Sequence, residues 1–315
     1  MHVDIHQHVW PAAMIDQLRR RVDLPRLEGW TLLTPGERPF EVTPADHDVS
    51  KRAAQASRDG LDLVVIGLSS PLGIEYMPPE QAVPLLDAYH DGVCELGPPF
   101  GWWAAACLTA IDVPGLIKQL DRGGAGLQLP ATAVADESGY RHCAPLLHVL
   151  AERNLPLLIH PGPAARVGDS GPGWWAAVVS YVQQMHAAWF AFRAYGRLAH
   201  PRLRVCFVAL AGLAPLHGER VAARSGGDAL ARGLVDPEVF VETSSYGNRA
   251  VDAVVRVLGT DVVVFGSDRP YAQPTDPGLG ASFFDAIQSA NPARLLKGAT
   301  TQSSRPPSRG EEQPQ

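Results

Sequence analysis

Two histidines separated by one residue stand in the first ten positions of the chain, MHVDIHQHVW. Imidazole is the side chain that most commonly binds metal ions in proteins. If this segment is a β-strand, His6 and His8 project to the same side, because side chains two residues apart in a strand share a face. Both rings can then bind one ion, at about 2.0–2.1 Å for each Zn–N bond. A His-x-His pair also arises by chance, so its meaning depends on where the fold places it.

Eight short apolar runs recur along the chain, each followed by a loop and an amphipathic stretch. They are rich in Val, Ile and Leu and too short for buried helices, which favours buried parallel strands. Strands that alternate with helices form βα units, and about eight such units predict a closed (β/α)8 TIM barrel of the α/β class. No GxGxxG motif follows the first run, which argues against a nucleotide-binding doubly wound sheet. The runs are HVDIH (2–6), LDLVVIGL (61–68), GWWAAACL (101–108), GAGLQL (124–129), LPLLIH (155–160), LRVCFVAL (203–210), VFVETS (239–244) and DVVVFGSD (261–268).

Two segments depart from this alternation of strands and helices. Residues 10–60 contain GWTLLTPGERPFEV, which predicts two short strands around a Pro-Gly turn in a small insertion over the barrel mouth. The final segment, TTQSSRPPSRGEEQPQ, is polar, rich in proline and free of aromatic residues, so we expect a disordered tail. The predicted organisation is therefore a barrel over residues 1–300, interrupted at about 10–60, and a tail over 301–315.

Three regions of the chain place metal-binding side chains at strand ends, where a barrel carries its chemistry. The first run ends with His6 and His8, the fifth ends with His160, and the eighth leads into Asp268 in FGSDRP. Three imidazoles, one carboxylate and a water molecule form a plausible open site for one divalent ion, with zinc the first expectation. Each residue alone is a weak signal, but the four at these strand ends are a strong one.

Polar residues next to these positions are candidates for binding the substrate. Arg269 and Tyr271 follow Asp268, and Arg166 lies in the loop after His160. A guanidinium at the mouth of a pocket suits a substrate carboxylate, which it can bind through two hydrogen bonds. An exposed, solvated arginine is the alternative interpretation for each position.

The bulk composition excludes several function classes. The net charge of −6, from 27 basic and 33 acidic residues, argues against nucleic acid or an anionic membrane as the main partner. No apolar run approaches the roughly 20 residues that cross a bilayer, and the first residues lack the pattern of a secretory signal. Four scattered cysteines predict reduced, buried thiols in a cytoplasmic protein. The expected partner is a small-molecule substrate, and a homodimer is left open.

Several motifs together resemble those of the amidohydrolase superfamily, and within it the amidohydrolase-2 group, which is related to aminocarboxymuconate-semialdehyde decarboxylase and other nonoxidative decarboxylases. The resemblance implies that His6, His8, His160 and Asp268 bind the metal, and that Asp268 accepts a proton from a metal-bound water molecule. The motifs are DIHQHVWP (4–11), LPLLIHPG (155–162), HPRLRV (200–205), LAGLAP (210–215), VFVETS (239–244), FGSDRP (265–270) and NPARLL (291–296).

The sequence departs from the group at two positions. Relatives usually carry a histidine at the end of the sixth strand, where FVALAGLAP places Ala209, and an alanine cannot act as a base. His217 lies eight residues later and could replace that histidine only through an unusual loop. The fourth strand carries Gln128 where binuclear members have a metal-bridging lysine. The resemblance therefore implies a mononuclear site.

These observations favour a mononuclear metal-dependent hydrolase whose metal-bound water attacks an amide, lactone or related carbonyl of a small, carboxylated substrate, with Asp268 as the base. One alternative is a nonoxidative decarboxylase, a carboxy-lyase acting on an aromatic or enoic acid. A metal-independent hydrolase and a catalytically degenerate barrel that binds a metabolite are further alternatives. Nothing in the sequence names the substrate.

Overall fold

The computed structural model describes residues 1–165, 172–225 and 235–297. Within these ranges, eight parallel strands form two sheets, in the orders β1-β5-β6 and β7-β8-β9-β10-β11, and three antiparallel strands form a small sheet in the order β2-β3-β4. The strands are β1 Val3–Gln7, β2 Arg26–Glu28, β3 Thr31–Leu33, β4 Phe40–Glu41, β5 Leu63–Ile66, β6 Phe100–Trp102, β7 Leu127–Pro130, β8 Leu157–His160, β9 Val205–Phe207, β10 Val239–Glu242 and β11 Val263–Val264.

The helices follow the barrel strands, as the alternating pattern predicts. Their apolar faces cover the barrel: in α9, Val251, Val254 and Leu258 are buried at helical spacing. One π-helical turn, Ala176–Ser180, precedes α6, and another, Phe192–Gly196, follows it. The helices are α1 Ala12–Arg20, α2 Val49–Arg58, α3 Pro79–Cys94, α4 Val113–Asp121, α5 Glu137–Arg153, α6 Tyr181–Ala191, α7 Arg197–Ala199, α8 Gly218–Arg224, α9 Asn248–Leu258, α10 Ala281–Gln288 and α11 Ala290–Lys297.

The two parallel sheets join at both edges, which closes the barrel and confirms the predicted TIM-barrel fold. A parallel bridge between Ala104 and Leu127 connects the end of β6 to β7. On the other side, the backbone N–H of Ile5 donates to the carbonyl of Phe265 at 3.1 Å. Every residue of β7, β8 and β10 is buried, which explains why these strands appear in the sequence as continuous apolar runs.

The insertion after the first strand has the antiparallel hairpin that the sequence predicts. Strands β3 and β4 flank the Pro-Gly turn, with Thr31 opposite Glu41. A third strand, β2, was not predicted. Two helices also lie in the range 10–60, of which α2 returns the chain to the barrel. The predicted tail, 301–315, lies outside the described residues.

No helix in the described ranges has the length and apolar character needed to cross a membrane. All four cysteines are free; Cys107, Cys143 and Cys206 are buried as expected, whereas Cys94 is exposed.

A buried carboxylate connects the first and last barrel strands. Asp4 is fully buried, and its Oδ1 accepts hydrogen bonds from the backbone N–H groups of His6 and Ser267, each at 3.1 Å. Its Oδ2 accepts a hydrogen bond from Nε2 of Gln7 at 2.7 Å. The guanidinium of Arg52 donates to the Gln7 side chain and, at 3.0 Å, to the carbonyl of His8. This network fixes the backbone on which the His-x-His pair lies.

We predict that Asp4→Asn lowers the free energy of unfolding by about 1–3 kcal/mol, the usual cost of a buried polar group left without a partner. The new amide would face the Gln7 amide, and both groups would be donors. Urea denaturation measures the effect. Asp62→Asn is the matched control, because Asp62 also accepts a backbone N–H but its side chain is 61% exposed. Equal losses in the two variants would contradict a specific role for the buried carboxylate.

Candidate active site

The structure brings together the four residues that the sequence proposed as metal ligands. His6 lies in β1, His8 directly follows β1, His160 is the last residue of β8, and Asp268 follows β11. One possible ligand atom from each residue lies within 4.8 Å of all the others. The three histidines are buried, and the Asp268 side chain is 20% exposed. The four side chains therefore surround one small volume at the C-terminal ends of the strands.

Two of the imidazoles are anchored by backbone carbonyls behind them. Nδ1 of His8 lies 3.0 Å from the carbonyl oxygen of Gly67, and Nδ1 of His160 lies 2.8 Å from that of Pro161. A carbonyl oxygen only accepts, so each Nδ1 carries the hydrogen, and each Nε2 presents a lone pair. Nε2 of His8 lies 3.1 Å from Nε2 of His6 and 3.2 Å from Oδ1 of Asp268.

The third imidazole is backed by a carboxylate that the sequence analysis did not single out. Glu242 is the last residue of β10 and is fully buried, and its Oε2 lies 3.4 Å from Nδ1 of His6. Oε2 also accepts hydrogen bonds from the Ala209 N–H at 3.1 Å and the Ser244 hydroxyl at 2.8 Å. Its signal in the sequence is an acidic residue that ends the otherwise apolar run VFVE, at the same edge of the barrel as the metal-binding candidates.

Burial controls the charge of the site. It lowers the pKa of His8 and of His160, so these rings are held neutral. Burial alone would raise the pKa of Asp268, but its contacts with the imidazoles of His8, His6 and His160 lower it overall, and the carboxyl stays ionised. Burial also opposes charge on His6, yet the carboxylates of Glu242 and Asp268 outweigh it and raise the pKa of that ring. The site thus concentrates lone pairs and negative charge.

Asp268 has a left-handed backbone conformation, with a φ of 55°, which aspartate tolerates better than most residues. Its N–H donates to the carbonyl of His6 at 2.9 Å, and its own carbonyl accepts from the Tyr271 N–H at 2.9 Å. This turn directs the Asp268 carboxylate towards the histidines.

The three residues proposed to bind substrate lie in different places relative to the cavity. Tyr271 lines the cavity next to the site, with its ring 5.3 Å from that of His8. Arg269 is not among the cavity-lining residues; its guanidinium pairs with Asp59 at the end of α2. The structure therefore does not support Arg269 as a substrate contact, because the chain turns at Asp268 and directs the next side chain away from the mouth. Arg166 lies outside the described residues.

A cavity of about 760 Å³ opens above the four residues, and most of the side chains that line it are apolar. The insertion forms part of its wall, with the Glu37 carboxylate accepting a hydrogen bond from the Tyr181 hydroxyl. Gly36 packs so closely that a Cβ there would lie 1.9 Å from the Ala164 carbonyl oxygen. Of the described lining residues, Arg38 is the only Arg or Lys. The aromatic lining residues are Trp10, Phe40, Trp175, Tyr181, Tyr246 and Tyr271.

Ala209 lines this cavity, where relatives were expected to carry a histidine. It begins a left-handed turn, a conformation that costs non-glycine residues roughly 1–2 kcal/mol each. His217 is exposed and its ring contacts that of His186, so it does not take the place of the missing imidazole. The φ angles from Ala209 to Leu213 are 50°, 46°, 53°, 60° and 63°.

Gln128 is fully buried and holds the loop after β5, with its Nε2 donating to the carbonyl of Leu68 at 2.6 Å and to the hydroxyl of Ser70 at 2.9 Å. It does not line the cavity. The side chain at the position of the bridging lysine therefore has a packing role, and the geometry provides ligands for one ion.

The donor set itself fits a divalent ion. Two nitrogens bound to a tetrahedral zinc ion at about 2.0–2.1 Å lie roughly 3.3 Å apart, close to the 3.1 Å between Nε2 of His6 and Nε2 of His8. When both rings carry their hydrogen on Nδ1, two lone pairs face each other at that distance and repel unless a cation lies between them. Three imidazoles and a carboxylate suit zinc and related divalent metals.

The sequence matches no protein-family model and no curated protein. Solved structures match the fold over 94% of this chain. IDCase from Metarhizium anisopliae, in its apo form, is 18% identical over 97% of its own chain, with a TM-score of 0.77. The 5-carboxyvanillate decarboxylase of Sphingomonas paucimobilis is 18% identical over 98% of its chain, with a TM-score of 0.75.

A 5-carboxyvanillate decarboxylase from Novosphingobium aromaticivorans, solved as a variant with manganese and 3-methoxy-4-hydroxy-5-nitrobenzoic acid, is 16% identical over 97% of its chain, with a TM-score of 0.73. A 4-oxalomesaconate hydratase from Rhodopseudomonas palustris shares the fold with a TM-score of 0.68, at 17% identity over 95% of its chain. At these identities the likeness establishes architecture. The chain shares the barrel fold of these enzymes and of a structure described as amidohydrolase II, and a barrel is the fold that its sequence predicted.

Proposed function

We propose that this chain is a metal-dependent nonoxidative decarboxylase of an aromatic carboxylic acid, and that it binds one divalent ion through His6, His8, His160 and Asp268. The observation that carries the proposal is the buried set of three imidazoles and one carboxylate at the base of an aromatic-lined cavity. The barrel fold is shared with enzymes named as decarboxylases of aromatic acids, which gives that observation a chemical context.

The sequence alone favoured hydrolysis, and the comparisons support its decarboxylase alternative better. The cavity is consistent with decarboxylation. Decarboxylation breaks the bond between a ring carbon and its carboxylate, leaves the electron pair on the ring carbon, releases CO2 and adds one proton to that carbon. A mostly apolar wall solvates a carboxylate poorly and neutral CO2 well, so burial of the substrate favours the loss of the charged group.

We assign different parts of the decarboxylation to different residues of the chain. Asp268 is the carboxylate at the base of the cavity, and we assign it the proton that a phenolic substrate releases on binding and that the ring carbon receives later. Aromatic rings such as Tyr271 position the substrate ring, and Arg38 suits an anionic substituent. A divalent ion bound here would supply a Lewis acid for the oxygen atoms of the substrate.

Metal content is the first test. We predict about one divalent ion per chain in protein purified without chelator, with zinc the first expectation from three imidazole ligands, although a barrel of the same fold holds manganese. His6→Ala should remove most of the ion. His217→Ala is the matched control, because that histidine is exposed and does not line the cavity. Elemental analysis that finds two ions, or none after incubation with metal, would contradict the proposed mononuclear centre.

Turnover is the second test. Dihydroxybenzoates and carboxylated methoxyphenols should lose CO2, and Asp268→Asn should reduce kcat by at least about 10²–10⁴-fold, the range for a lost proton-transfer group. Asp62→Asn, which alters an exposed carboxylate, should retain wild-type rates. If the protein instead hydrolyses lactones or N-acyl compounds and releases no CO2 from any acid, the decarboxylase proposal fails and the hydrolase alternative takes its place.

Ala209, which lies two residues after β9, gives a third prediction. We expect that its small side chain provides room for a substrate group, so that Ala209→His raises KM or lowers kcat for the native substrate. Histidine is among the residues that tolerate a positive φ, which limits damage to the turn. Ala209→Ser is the smaller control and should have the weaker effect. A gain in turnover with histidine would show instead that the alanine is a simple loss of catalytic power.

A further inference from the structure

We propose that Glu242 is a positioning residue for the metal centre: it holds the hydrogen of His6 on Nδ1 and strengthens the binding of a divalent cation in front of that ring. The inference rests on the metal binding in the proposed function. It concerns a residue that does not face the substrate, since Glu242 is fully buried behind the imidazole and is not among the residues that line the cavity.

The Glu242 carboxylate is fully buried. A buried carboxylate is expensive unless a positive group compensates it. Within the described ranges no Arg or Lys forms an ion pair with Glu242; its one ion-pair contact is Nδ1 of His6, at 3.4 Å. A cation on the far side of that ring would supply the missing positive charge.

The Glu242 carboxylate is held by donors that fix its orientation: the Ala209 N–H at 3.1 Å and the Ser244 hydroxyl at 2.8 Å reach Oε2, and the Ser244 N–H reaches Oε1. All three groups donate, so the carboxylate is the matching acceptor. Oε2, which faces His6, is thereby fixed in place and cannot rotate away from the ring.

The barrel also leaves space for the Glu242 side chain where it packs against Gly266. A Cβ at Gly266 would lie 2.4 Å from both Cγ and Oε1 of Glu242, which is too close for any side chain. Gly266 follows β11, two residues before Asp268. The strand that leads to the metal-binding carboxylate therefore has a glycine where Glu242 needs room.

The contact between His6 and Glu242 differs from the contacts that hold the other two imidazoles. His8 and His160 are anchored by neutral carbonyls, which fix the tautomer and add no charge. Glu242 fixes the tautomer of His6 and adds a negative charge, which makes Nε2 a stronger donor to a cation. Outer partners of this kind typically change metal affinity by 10–100-fold when they are removed.

The test measures metal affinity without any substrate. Zinc would be titrated into metal-free protein in competition with a chromophoric chelator. Glu242→Gln keeps the size of the side chain but removes the charge and turns one acceptor into a donor, and we expect zinc to bind about 10–100-fold more weakly. Glu75→Gln is the matched control, because Glu75 is also a fully buried glutamate but contacts Ser70 and none of the four ligands. Equal affinity of Glu242→Gln and wild type would overturn the proposal.

A second measurement uses the unmutated protein, so it remains decisive if Glu242→Gln does not fold. Nitrogen-15 NMR of metal-free protein, followed with rising pH until the His6 ring is neutral, reports which ring nitrogen carries the hydrogen. The His6 signals are identified by their loss in His6→Ala. We expect the hydrogen on Nδ1, and a hydrogen on Nε2 would overturn the proposal. Neither measurement involves an aromatic acid, so failure of the decarboxylase proposal would be recognised separately.

Discussion

Nε2 of His6 and Nε2 of His8 are buried, lie 3.1 Å apart and are directed at the same point, and the site depends on the interaction between them. Such an arrangement is unfavourable without a positive charge between the nitrogens. The carbonyls of Gly67 and Pro161 and the carboxylate of Glu242 all contact the opposite sides of the rings. The surrounding protein thus holds the rings as ligands, and a bound cation would turn the repulsion into attraction.

The barrel makes this arrangement possible because closure places the first and eighth strands side by side. Asp4 accepts from the N–H groups of both strands, and the backbone of Asp268 bonds to the carbonyl of His6. The ligands are therefore separated by most of the sequence yet share one hydrogen-bond network. The insertion then covers the mouth through Gly36 and Glu37, which turns an open strand edge into a cavity.

Sequence reasoning was most successful where residue type and strand position coincide. His6, His8, His160 and Asp268 end apolar runs, and the barrel prediction alone was enough to bring them together. Glu242 also ends an apolar run, but the sequence does not show that its carboxylate lies behind the His6 ring. The direction of Arg269 depends on the left-handed φ of Asp268, which residue type does not determine. The turn at Ala209 was also hidden, because five left-handed residues include a single glycine.

The central claim, decarboxylation at a metal centre, is tested most directly by the origin of the atoms in the product. An aromatic acid that the protein consumes would be turned over in a mixture of D2O and H2¹⁸O, and the product analysed by mass spectrometry and NMR. The account predicts one deuterium on the ring carbon that loses its carboxylate, no ¹⁸O in the aromatic product, and loss of the reaction when a chelator removes the metal. Incorporation of ¹⁸O without release of CO2, or turnover that persists without metal, would contradict it.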